Sequence, residues 1–160
     1  MHSTTRLNYK ILSLLKKHNL TISSAESCTG GLLASKLTDI PGSSNYFKTG
    51  FITYNEKSKL KHLKIDRNIL SKYGTVSKEN AKEMADNIRI LTSSDIGIAT
   101  TGILGPQTIE DRPKGEIYIA ISLSNKSTVK RLRLKGSRAI IKKEAVAQAL
   151  QLLYQQLCRL

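Results

Sequence analysis

The sequence predicts a three-layer α/β/α sandwich built on a mixed, mostly parallel sheet. Helical and strand patterns alternate through the first hundred residues, and two strands joined by a short turn follow late in the chain. No linker, repeat or low-complexity stretch interrupts them, so residues 1–160 read as a single domain. Alternation implies parallel strands with helical crossovers on both faces, and the late hairpin adds antiparallel partners. A chain of 160 residues buries roughly 70% of its unfolded surface, enough for one self-sufficient core.

Each element has its own signal. Leu7, Ile11, Leu14 and Leu15 recur at a helical period within residues 5–18. Residues 20–24 read as a short strand and 29–37 as a helix, followed by turn chemistry at Pro41-Gly42-Ser43-Ser44. Residues 47–54 alternate as a strand carrying Phe51 and Tyr54, and 57–63 and 66–72 are short helices ending near Gly74. Ser77 caps a helix with Ala81, Met84, Ala85 and Ile88 along one face. Residues 95–101 form a strand of small residues suited to burial, and a loop bearing Gly and Pro spans 102–115. Strands at 116–123 and 128–134 flank a Ser124-Asn125-Lys126 turn. Residues 138–158 close the chain as a helix, with Ile141, Ala145, Ala149, Leu152 and Leu153 at helical spacing.

Composition excludes several classes. With 39% hydrophobic residues the chain is too apolar for disorder. It has no apolar run near the ~20 residues that span a bilayer. Its N-terminus shows no small-residue cleavage site, so a cytoplasmic protein without membrane attachment is expected. The two cysteines, Cys28 and Cys158, make no disulfide framework. The outlier is charge: 26 Lys+Arg against 12 Asp+Glu give +14. The surplus concentrates in 126–143, which holds eight basic residues and no acid, and in 57–72, where six oppose Asp66 alone. Neither run interleaves the aromatics that stack single-stranded bases, and no DNA-binding signature is present, so nucleic acid is not the expected partner.

In α/β folds ligands gather where strands end and helices begin. The first such junction reads Ala25-Glu26-Ser27-Cys28-Thr29-Gly30-Gly31. A small-residue turn there leaves backbone N–H groups able to hold a phosphate or an oxyanion, and Ser27 and Cys28 are both potential nucleophiles. The same residues also read as an ordinary helix cap and tight turn. Other strand ends supply Tyr54 to Lys59 and Thr100 to Pro106. A lysine can act as base for a serine where burial or neighbouring cations favour its neutral form. A solvated helix lysine is the other reading of Lys59, which has lysines for neighbours. His2, His18 and His62 stand in poor contexts for a Ser-His-Asp triad.

The run Ala-Glu-Ser-Cys-Thr-Gly-Gly-Leu-Leu-Ala at 25–34, followed by Pro41-Gly42-Ser43-Ser44, resembles the CinA C-terminal domain family. Thr53-Tyr54, Lys59, Gly74-Thr75-Val76-Ser77, Thr101-Gly102-Ile103, Gly105-Pro106, Gly115 and Gly136 to Arg138 follow in the family's order, from about residue 7 to the C-terminus. Members that act as enzymes are nicotinamide-nucleotide amidases, which convert nicotinamide mononucleotide into nicotinate mononucleotide and ammonia, a step of pyridine nucleotide salvage. The resemblance implies Ser27 as nucleophile, Lys59 as its base and Tyr54 nearby. It implies substrate contacts from Thr29, Gly30, Gly31, Thr101, Gly102, Gly105 and Arg138, the last in its own subunit or across an interface. The oxyanion would lie on the 28–31 turn, and the phosphate on Arg138 or the Gly30-Gly31 helix start. No metal or cofactor is implied. A homo-oligomer is implied, as is the stand-alone form without the larger N-terminal domain found in fused members.

The chain departs from the family pattern in two places. The loop after Gly105-Pro106, usually glycine-rich, reads Gln107-Thr108-Ile109-Glu110-Asp111-Arg112-Pro113. Between Tyr54 and Lys59, Asn55-Glu56-Lys57-Ser58 replaces the usual Ser-Asn-Glu-Ala, and a one-residue slip would make Lys57 the base. These changes give the alternative reading, a catalytically inactive member that binds a ligand or a partner.

Overall fold

The computed structural model describes residues 3–106, 111–124 and 126–160. Six helices and five strands follow one another as α1 (Ser3–His18), β1 (Ile22–Glu26), α2 (Leu32–Thr38), β2 (Phe47–Ile52), α3 (Glu56–His62), α4 (Arg67–Tyr73), α5 (Lys78–Leu91), β3 (Ile96–Gly102), β4 (Glu116–Leu123), β5 (Lys126–Arg133) and α6 (Arg138–Leu157). A single 3-10 turn at Ser43–Asn45 precedes β2.

The strands form one sheet in the order β2-β1-β3-β4-β5. β1 pairs in parallel with β2 and β3, β4 runs antiparallel to β3, and β5 antiparallel to β4. Four of the five strands therefore share one direction, and the fold is the predicted mixed α/β sandwich. Strand alternation divides the core into two layers. On one face Ile22, Ile96, Ile98, Ile117, Ile119 and Ile121 pack against α1, α2 and α6. On the other, Ala25, Ala99, Tyr118 and Ala120 meet Leu63, Leu70, Ala81, Met84, Ala85 and Ile88 of the α3–α5 side.

Small residues on this second face let α5 lie close. A β-carbon at Gly97 would stand 2.0 Å from the Ala85 carbonyl oxygen, so any larger residue there would push the helix off the sheet. The chain leaves β1 for β2 on one side and later returns to β3 on the other. The carboxyl ends of β1 and β3 thus flank a topological switch point, where such sheets hold their ligands.

Boundaries moved where side chains overrode periodicity. β1 starts at Ile22 rather than residue 20, because Asn19 takes a left-handed φ of 52°. Asp95 Oδ2 then accepts both the N–H and the hydroxyl of Thr21, clasping the starts of β1 and β3. α2 starts at Leu32 rather than residue 29, because Gly30 and Gly31 turn with φ of 55° and 92°.

Candidate functional site

A cavity of about 420 Å³ opens at the carboxyl ends of β1, β2 and β3. Ser27 and Cys28 reach it from the turn after β1, and Tyr54, Asn55, Glu56 and Lys59 from the end of β2 and α3. Thr75 and Val76 come from the turn before α5, the 101–106 segment from the end of β3, and Arg138 from the first turn of α6.

At its floor, Lys59 Nζ donates to Ser27 Oγ at 3.2 Å and to the Thr53 carbonyl at 2.9 Å. Lys59 is 2% exposed and Ser27 8%. The local sequence explains how a lysine arrives there. Asn55 caps α3 by accepting from the Ser58 N–H, and the Ser58 hydroxyl accepts from the Asn55 N–H, a reciprocal capping box. That cap sets the helix phase so that Lys59 turns inward, whereas Lys57 is exposed. The altered 55–58 segment therefore starts the helix and keeps Lys59, not Lys57, beside the serine.

Cys28 lines the same cavity, but its chemistry differs. Burial pushes its thiol up to about 12, against a weaker lowering by a hydrogen bond with the Thr100 side chain. The thiolate is the nucleophilic form of cysteine, so of the two candidates the serine is the one equipped to attack.

The turn itself is held from behind. The Ser27 N–H donates to the Thr100 carbonyl, and the Gly30 N–H to the Ser27 carbonyl. α2 is capped by Gly31, which has no side chain. The wholly buried Glu26 carboxylate supplies the missing cap, accepting from the N–H groups of Gly31, Leu33 and Ala34 and from the Thr29 hydroxyl. Sequence reading passed over Glu26. The available signal was an acid at the strand end before a helix that opens on two glycines.

Three of the expected substrate contacts lie apart from this cavity's lining. Thr29, Gly30 and Gly31 do not line the cavity. Thr29 is wholly buried, a β-carbon at Gly30 would meet Lys142 Nζ at 3.3 Å, and one at Gly31 would meet Ile52 Cδ1 at 3.0 Å. At the α2 start, Glu26 already takes the N–H groups of Gly31, Leu33 and Ala34.

The other expected residues do meet at the cavity. Thr101, Gly102 and Gly105 line it, and the Thr101 hydroxyl donates to the Thr75 carbonyl at 2.8 Å. Gly102 is required by packing, since a β-carbon would lie 2.6 Å from the Glu116 carbonyl oxygen. Arg138 stands at the mouth of its own chain's cavity, donating from Nη1 to the Gly105 carbonyl at 2.8 Å and from Nη2 to the Tyr54 hydroxyl. Both Arg138 and Tyr54 are exposed there. Residues 107–110 of the altered loop lie outside the described residues. Among the described residues, no group of three or more His, Cys, Asp or Glu is placed to hold a metal ion, and no helix is long and apolar enough to cross a membrane.

Comparison with known proteins gives the same grouping. The chain is 46% identical over 154 residues to a competence-damage inducible protein of Clostridium botulinum (strain Loch Maree / Type A3), covering 96% of this chain and 38% of that protein. It is 44% identical over 140 residues to a namesake from Caldanaerobacter subterraneus, covering 87% and 34%. The chain thus spans little more than a third of the curated relatives it matches. Among solved structures, a CinA superfamily protein from Klebsiella pneumoniae superposes with a TM-score of 0.95 at 28% identity, covering 99% of this chain and all of that one. The competence/damage inducible protein CihA of Agrobacterium tumefaciens gives 0.91 at 31% identity, covering 96% and 94%. Residues 4–157 match the CinA C-terminal domain. Sequence, fold and the ordered site segments coincide over nearly the whole chain, which belongs to the CinA C-terminal domain family.

Proposed function

We propose that this protein is an amidohydrolase that converts nicotinamide mononucleotide into nicotinate mononucleotide and ammonia. The observation that carries the reading is the buried Lys59 amine within hydrogen-bond reach of Ser27 Oγ at the base of a nucleotide-sized cavity. Ser27 attacks the carboxamide carbon while Lys59 takes its proton. The backbone N–H of Cys28, the turn residue that lines the cavity beside Ser27, holds the oxyanion; loss of such a donor costs about 3 kcal/mol of barrier. The tetrahedral intermediate collapses, the C–N bond breaks, and Lys59 returns the proton to the departing ammonia. Water, deprotonated by the same amine, then releases the carboxylate and frees Ser27.

Arg138 at the mouth is the group for the phosphate, since the α2 start is closed by Glu26. The family assignment supports the reading as well. A homo-oligomer belongs to the same proposal.

The test is ammonia release from nicotinamide mononucleotide. Ser27→Ala abolishes it and Lys59→Ala lowers it by about two to four orders of magnitude, whereas Cys28→Ala leaves most of it. Full activity in Ser27→Ala refutes the serine assignment. A wild-type protein that binds the nucleotide without releasing ammonia is instead a ligand-binding member of the family.

A further inference from the structure

Behind the nucleophile turn runs a chain of hydrogen bonds with one direction. Three N–H groups and the Thr29 hydroxyl are aimed at the Glu26 carboxyl group, so it serves only as acceptor. Thr29 has a single hydroxyl proton, given to Glu26 Oε2 at 2.6 Å. The 2.6 Å contact between Thr29 and Thr100 hydroxyls must then have Thr100 as donor. The Thr100 backbone carbonyl in turn accepts the Ser27 N–H at 2.9 Å. Glu26, Thr29 and Thr100 are each wholly buried, so no water substitutes for a lost link.

We propose that Glu26 is a positioning residue: by anchoring Thr29 and, through it, Thr100, whose carbonyl holds the Ser27 N–H, it fixes the turn that presents Ser27 to Lys59. The inference rests on the reading of Ser27 as nucleophile. It goes beyond a helix cap because Thr29 lies two residues past the nucleophile with its side chain drawn inward, and the Ser27 N–H itself is held on Thr100. Glu26 touches no reacting atom; it acts through the turn.

Gln at position 26 sets a second donor against the Ala34 N–H that Glu26 Oε1 now accepts. Glu26→Gln therefore lowers kcat for nicotinamide mononucleotide at least about tenfold, since sub-ångström misplacement of reacting groups has effects of that order. KM stays within about twofold, because Arg138 binds the anionic end from α6. Should Glu26→Gln fail to fold, Thr29→Val, which deletes only the hydroxyl, carries the same expectation. Thr29→Ser restores the hydroxyl and the rate.

Sulfonylation of Ser27 by phenylmethylsulfonyl fluoride, followed by intact mass, separates this inference from the substrate assignment. In that reaction Oγ bonds to sulfur, fluoride departs and the serine proton passes to Lys59. A wild-type protein that is sulfonylated at Ser27 but releases no ammonia contradicts the proposed substrate only. The positioning role then stands if Thr29→Val labels at least about tenfold more slowly than Thr29→Ser. Folded Glu26→Gln and Thr29→Val proteins with wild-type kcat and labelling rate overturn it. So does a KM rise that matches the kcat loss, and so does a wild-type protein in which Ser27 is not labelled.

Discussion

A protonated lysine has no lone pair with which to accept a serine proton, so the proposed chemistry depends on the neutral amine of Lys59. Desolvation disfavours an ammonium ion relative to the amine, and Lys59 is 2% exposed beneath the cavity. The sign of the pH dependence follows. As pH falls the amine is protonated and loses its role as base, so kcat/KM for amide hydrolysis falls on the acid side. As pH rises the neutral form accumulates and the rate climbs to a plateau. Lys59→Ala removes this limb along with most of the rate, leaving a residual activity flat in pH; a pH–rate profile of wild type and variant checks it. An acid limb retained in Lys59→Ala would assign the titration to another group. Cys28 supplies no competing thiolate, because its thiol is pushed up to about 12 by burial.

The placement of that lysine belongs to α3, only seven residues long and therefore dependent on its cap. Asn55→Ala removes the side chain that accepts the Ser58 N–H at 2.8 Å. The loss is about 1 kcal/mol of stability, with a fall in kcat larger than any change in KM because Lys59 loses its orientation. Thermal unfolding and steady-state kinetics on the same sample check both parts. Much of this element was legible: Lys59 was the base that the resemblance implied, and the helix was expected at 57–63, one residue late. The Asn-x-x-Ser box was legible too, but it was taken as a departure from a pattern rather than as the cap that preserves the geometry. The turn after β1 was less legible. Helical periodicity counted residues 29–31 into α2, while the chain turns there through two left-handed glycines because a carboxylate five or more residues back binds the N–H groups. A cap supplied from the preceding strand leaves no local signature at the helix start. For that reason the Gly30-Gly31 helix start stood beside Arg138 as an expected place for the phosphate, although Glu26 occupies N–H groups there.

Across the whole molecule, the basic surplus has particular places rather than one function. Arg138 serves the cavity mouth, Lys59 its floor, and Lys130 donates to Gln148 between β5 and α6. Arg112 and Arg131 converge on Glu116, which is 1% exposed on the penultimate strand of the sheet. Glu116 Oε1 receives Arg112 at 3.0 Å, Arg131 at 3.1 Å and the Tyr118 hydroxyl at 2.8 Å, while Arg112 also reaches the Tyr73 carbonyl. One carboxylate thereby joins β4, β5 and the segment before β4, and through Arg112 the end of α4, which lies 39 residues away in sequence. Burial pushes the Glu116 carboxyl up, but the Tyr118, Arg131 and Arg112 bonds outweigh it and hold it below the usual glutamate range. A carboxylate so depressed in the folded state adds stability that is complete above its unfolded range and disappears as pH falls through the folded value. Glu116→Gln keeps the shape but removes the charge from two arginines. It destabilises by about 1–3 kcal/mol at neutral pH, the range for hydrogen bonds to charged groups. The gap between wild type and variant then narrows as pH drops below the ordinary glutamate range and closes below the folded value. Urea unfolding of both proteins at pH steps from neutral to acid measures that gap; a difference independent of pH would mean that Glu116 acts through packing and not through its charge.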